Sequence, residues 1–250
     1  MPKFFVKENQ VQNNKITIIG SDVNHIINVL RMKDGDKLNI CNADNSQNYL
    51  AEIINIQKKE IECKIIETLE AKEESNVDIT IYQGLPKADK MELIIQKCVE
   101  LGVKKIVPVD MKRCVVKIDS KNKQKKLERW NKIAEVAAKQ CGRSIIPVVE
   151  DIQGINQISN DFNKYNLVLL CYENEKQTLL KNVLKTYSSK GDIKIAVIIG
   201  PEGGIDSSEV DYMEKSGATV VSLGSRILRT ETVALSISSI LMYEFERNEY

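Results

Sequence analysis

The chain has 250 residues, with 36 Lys+Arg against 35 Asp+Glu and a formal net charge of +1. Hydrophobic residues make up 42% and charged residues 28%, enough apolar material for a packed core, which excludes a disordered tail and a bulk polycation. No apolar run approaches the roughly 18 residues of a membrane span, and the opening MPKFFVKENQ lacks a long apolar stretch, so a cytoplasmic protein without a signal peptide is expected.

In chain order, the first part, residues 1–70, predicts a small β-rich barrel or sandwich. Asp22 is placed as the N-cap of a short helix with Val23, Ile26, Ile27 and Leu30 on one face. Asp34-Gly35 marks a turn, and Ile61-Glu62-Cys63-Lys64-Ile65 alternates with the period of a half-buried strand. The polar run Glu70-Ala71-Lys72-Glu73-Glu74-Ser75-Asn76 is the predicted linker.

The second part, residues 77–250, alternates strand and helix. Strands are predicted at 79–85, 106–109, 167–172, 195–199 and 219–223. Met91, Ile94, Ile95, Cys98 and Leu101 share a helical face that Gly102 ends, and Leu127, Trp130, Ala134, Ala137 and Cys141 repeat likewise before Gly142. Asp206 and Glu209 form a capping-box pair opening a helix that ends near Gly217, and Val233, Ile237, Ile240 and Leu241 mark a last helix. Such alternation predicts a mostly parallel sheet covered on both faces.

Two loops follow predicted strands, where open α/β sheets bind ligands. Gly200-Pro201-Glu202-Gly203-Gly204 lacks the Lys-Ser/Thr of a phosphate loop, and Glu202 would repel a phosphate. Leu223-Gly224-Ser225-Arg226-Ile227-Leu228-Arg229-Thr230-Glu231-Thr232 offers arginines that can stabilise an anion. Read alone, the first is equally a tight turn, and Arg229 with Glu231 is more readily a surface pair at a helix start. Residues 119–143 hold eight Lys/Arg against three acids, a local excess that suits a phosphate backbone, although such Lys runs more usually form a solvated helix face. Six scattered cysteines without a Cys-x-x-Cys pair, and the single His25, predict buried reduced thiols and no metal site.

Together, GPEGG…LGSRILRTET, Lys87-Ala88-Asp89-Lys90-Met91-Glu92, Gln96-Lys97 with Glu100-Leu101-Gly102, Gln140-Cys141-Gly142-Arg143, and Val29-Leu30-Arg31 with Gly35-Asp36 resemble the bacterial 16S ribosomal RNA (uridine-N3) methyltransferases of the SPOUT class. The resemblance implies a PUA-like RNA-binding β-barrel followed by an α/β domain with a parallel sheet and a C-terminal trefoil knot. It also implies S-adenosylmethionine as cofactor, a homodimer, and 16S rRNA within the small ribosomal subunit as substrate. Carried over by position, the cofactor loops are that after Leu170, then Ile199, Gly200, Glu202 and Gly204, then Leu223, Gly224, Arg226, Ile227 and Leu228, with Thr232 beyond. Arg229 and Glu231 take the catalytic roles, with Glu202 as another carboxylate able to accept the N3 proton. Lys3, Arg31, Lys87, Arg113 and Arg143 are the implied RNA contacts. The chain departs from the family with Lys3 in place of Arg and Ala88 in place of Gly. Another reaction of the class, on a ribose 2′-oxygen or on transfer RNA, and a non-catalytic RNA-binding assembly protein are the alternative readings.

Overall fold

The computed structural model describes residues 3–70, 74–187 and 191–247, so Ala71 to Glu73 of the predicted linker lie outside the described residues. The chain divides into two compact units, one of Met1–Glu74 with Ala138–Ile146, the other of Ser75–Ala137 with Pro147–Tyr250.

The first unit holds β1 (Lys3–Val6), β2 (Val11–Gln12), β3 (Lys15–Ile19), α1 (Ser21–Asn24), β4 (Lys37–Asn42), β5 (Asn48–Ile56) and β6 (Glu60–Leu69). These strands form one six-stranded sheet in the order β1-β4-β5-β6-β3-β2, antiparallel except between β1 and β4. The alternation read in β6 is real: Ile61 and Cys63 point into the core with Phe4, Ile18, Leu38 and Ile53. Register shifts between β5 and β6 at Leu50/Ala51 and Ile53/Asn55 bend the pair, and the sheet curls over this core.

Two expectations are corrected here. Asp22 is not an N-cap, since α1 begins at Ser21 behind Gly20, and the Asp22 carboxylate accepts from Lys139 Nζ at 2.9 Å instead. Cys141 is exposed, whereas the other five cysteines are buried. The segment after Ala138 is built into this unit by polar contacts: Ser144 Oγ accepts from Asn48 Nδ2 at 2.8 Å and from Lys3 Nζ at 3.0 Å.

The second unit runs β7 (Val77–Gly84), α2 (Lys90–Glu100), β8 (Lys105–Asp110), α3 (Ser120–Cys141, whose last turn lies in the first unit), β9 (Val148–Val149), β10 (Gln153–Gly154), α4 (Ile155–Ser159), β11 (Leu167–Cys171), α5 (Leu180–Lys185), β12 (Ile193–Ile199), α6 (Ser207–Lys215), β13 (Thr219–Val221) and α7 (Thr230–Phe245). Its sheet has the order β10-β8-β7-β12-β11-β13, with β9 also on β8, and every pairing is parallel. Parallel strands covered on both faces must be apolar throughout. Accordingly β11 is buried at all five positions and β12 at six of its seven. Gly102, Gly142 and Gly217 stand at positive φ after α2, α3 and α6, the left-handed stop that the spacing predicts. No helix among the described residues is long and apolar enough to cross a membrane.

Candidate active site

The strand order decides where the site forms. β12 lies beside β11, and β11 beside β13, so three carboxyl-terminal loops distant in sequence emerge side by side. They enclose a cavity of about 430 Å³, within the size range of small-molecule sites.

From the β12 loop the wall takes Ile199, Gly200, Glu202 and Gly204. From the β13 loop it takes Leu223, Gly224, Arg226, Ile227, Leu228 and Arg229. The β11 loop contributes Cys171, Tyr172 and Glu173. Leu170 is fully buried inside the strand, so the wall begins one residue later than expected. Thr232 is exposed on α7 and does not line the cavity.

Close approach explains the glycines. A Cβ on Gly204, at φ +71°, would lie 2.1 Å from Glu173 Oε1. One on Gly84, at the end of β7, would lie 2.7 Å from the Pro201 nitrogen. Beneath the loops, fully buried Gln83 donates from Nε2 to Thr230 Oγ1 at 2.8 Å, and the Thr230 hydroxyl donates to the Gly200 carbonyl at 2.7 Å. These two bonds tie the first loop to the start of α7.

At the rim, Lys90 Nζ stands 3.1 Å from Glu202 and 3.2 Å from Glu231. The Lys87 amide also donates to Glu202, at 3.1 Å to Oε1. Burial pushes the Glu202 carboxyl upward, but its own backbone amide, Lys90 and the Lys87 amide outweigh that and hold it below the ordinary 4.5. The two carboxylates, Glu202 first, hold the Lys90 ammonium above its ordinary 10.5. Lys90 lines the cavity, and the sequence reading missed it; its position at the start of a helix offered no periodic signal. Glu231 is not among the lining residues; its carboxylate sits against Lys90, which is. Burial pushes the Cys171 thiol up to about 12, so this part of the wall is an apolar surface and not a nucleophile.

The expected RNA contacts divide. Arg31, Lys87 and Arg113 are exposed, with Arg113 Nη2 3.5 Å from Asp206. Lys3 and Arg143 are only 6% and 5% exposed. Arg143 grips Glu74 through Nη2 at 2.8 Å and Nε at 3.3 Å. Both side chains are thus buried among partners of their own unit, unlike the other three. The basic excess on α3 is also partly spent internally, Arg129 pairing with Glu92 and Lys132 with Glu135.

Comparison with known proteins agrees with this architecture. Residues 73–242 match a family model described as an RNA methyltransferase domain, and residues 18–66 one described as an RNA methyltransferase PUA domain. The chain is 35% identical to ribosomal RNA small subunit methyltransferase E of Bacillus subtilis, over 98% of each protein. It is 31% identical to the protein of the same name from Buchnera aphidicola, over 98% of this chain and 94% of the relative. A crystal structure of that methyltransferase from Neisseria gonorrhoeae bound to S-adenosyl methionine is 29% identical, covers 98% of both chains and gives a TM-score of 0.86. The chain belongs to this family of RNA methyltransferases.

Proposed function

We propose that the chain transfers a methyl group from S-adenosylmethionine to N3 of a uridine in 16S rRNA of the small ribosomal subunit. It does so as a cytoplasmic homodimer whose C-terminal part carries a trefoil knot. The observation that carries this reading is the convergence of the three loops on one cavity with Arg229 at its edge.

The cavity fits the cofactor chemically. Gly224, at φ +125°, has open space where a Cβ would stand, so backbone is presented bare to a ligand. Leu223, Ile227, Leu228 and Cys171 supply apolar wall for an adenine ring, and the backbone of the Gly200 and Gly224 loops supplies its polar partners. When bound, S-adenosylmethionine supplies the activated methyl group.

The chain's residues supply the rest. A paired uridine hides N3, so the base must be presented out of any duplex. The neutral imide is a poor nucleophile; its proton must leave, and the charge then spreads to O2 and O4. Arg229 donates to those oxygens, and the Lys90 ammonium, kept charged by its two carboxylates, is a second donor at the same rim. Glu202 lines the cavity and is the proton acceptor in this reading. Its lowered pKa makes it a weak base, so anion stabilisation and orientation carry most of the catalysis. Arg31, Lys87 and Arg113 hold the RNA backbone.

Nucleoside mass spectrometry tests this. Small subunits from cells lacking the gene, treated with the protein and cofactor, are expected to gain N3-methyluridine. A methyl group on a ribose, or on transfer RNA alone, would move the reaction to another target.

A further inference from the structure

A second cavity, of about 650 Å³, opens on the same unit and shares no lining residue with the first. Its wall comes from the segment after β8 (Lys112, Lys117), the β10–α4 corner and the first turns of α6 (Ser208, Glu209, Tyr212). We propose that it binds one unpaired guanine nucleotide of the RNA substrate. The proposal rests on the reading that the substrate is RNA.

Glu209 carries the argument. It is 7% exposed, and its Oε1 accepts from the Lys112 amide at 2.9 Å. Its Oε2 is buried with no hydrogen-bond partner among the described residues. Capping does not explain this placement. Asp206 caps α6 by accepting from the Ser208 amide at 3.2 Å, while Glu209 reaches across to Lys112 instead of folding back, so the expected capping box is only half formed. A buried carboxylate oxygen left unpaired is costly, and such groups persist where a ligand completes them.

The surroundings suit a nucleotide. Tyr212, 44% exposed, stands at the cavity wall, and its ring is a surface on which an unpaired base can stack. Lys112 and Lys117 have side chains 61% and 64% exposed. Their ammonium groups are held by Ser208 Oγ at 2.5 Å and by Asp110 at 2.7 Å, within reach of a phosphate entering from solvent. The carboxylate selects the base, because it accepts only. Guanine offers N1–H and the N2 amino group side by side, a donor pair that the Glu209 carboxylate receives when its side chain turns into the cavity it lines. Uracil sets a carbonyl on each side of its single N–H and would be repelled.

Titration calorimetry of the full chain with guanosine and uridine 5′-monophosphates tests the site. A preference for guanosine of about tenfold or more is expected. Glu209→Gln keeps an acceptor for the Lys112 amide but turns the free oxygen into a donor, and should abolish the preference. Tyr212→Ala changes only an exposed ring, guards against a misfolded Glu209 variant, and should weaken binding of both nucleotides. Equal affinity for the two nucleotides, or wild-type preference in Glu209→Gln, overturns the proposal. So does a change in sedimentation of either variant without nucleotide binding, which would make this face a contact between copies. Nucleotide binding needs no methyl transfer. Intact preference in a protein that never methylates would count against the proposed reaction alone, and lost preference in an active enzyme against this site alone.

Discussion

Arg229 stands just before α7, exposed at the cavity edge, and its guanidinium has no hydrogen-bond or ion-pair partner among the described residues. Arg229→Ala should therefore leave cofactor affinity unchanged and lower methylation by roughly 100-fold or more, the usual cost of a lost anion donor; isotope transfer to small subunits checks it. Ala88 shows the opposite case, a residue at odds with its backbone. It sits at φ +52°, in the turn that brings the Lys87 amide and Lys90 to Glu202. A non-glycine residue there carries about 1 kcal/mol of strain, so Ala88→Gly should raise stability by up to that amount in denaturant unfolding. The Lys90 cluster also sets a pH window. Glu202 has a depressed pKa, so its contribution is present above 4.5 and lost as pH falls through the lower folded value. Lys90 has a raised pKa, so its contribution is present below 10.5 and lost as pH rises through the higher folded value. The cluster's contribution to thermal stability should be flat between about pH 6 and 9 and fall on the acid side, and Glu202→Gln should flatten that acid limb.

Among the elements, the strands and long helices were legible because each carries its own pattern. β11 and β12 are apolar throughout, and glycines at positive φ end α2, α3 and α6. The short elements were not. α4 and α5 have five and six residues, too few to show a period, and β9 and β10 are two-residue pairings fixed only by β8. Lys3 and Arg143 read as surface charges because a sequence does not show that Ser144 and Glu74 wait for them. Lys90 escaped notice because its partners lie more than 100 residues away in the chain. The same long-range dependence makes α7 vulnerable at its first residue. Thr230→Val removes the bonds to Gln83 and Gly200 together. It should cost roughly 1–3 kcal/mol of stability and weaken cofactor binding, read by thermal unfolding with and without ligand.

Across the whole molecule, the two loops singled out by their glycines and arginines are joined by a third, after β11, because β11 lies between β12 and β13. Local patterns name loops, but only the sheet order makes them neighbours; the third loop came into view through the family resemblance, and the order itself only in the structure. Amide hydrogen exchange with and without saturating S-adenosylmethionine reads this arrangement directly. Protection is predicted at residues 171–173, 200–204 and 223–229 together, with the first unit unchanged. Protection confined to one loop, or falling outside all three, would contradict a cofactor site built from them.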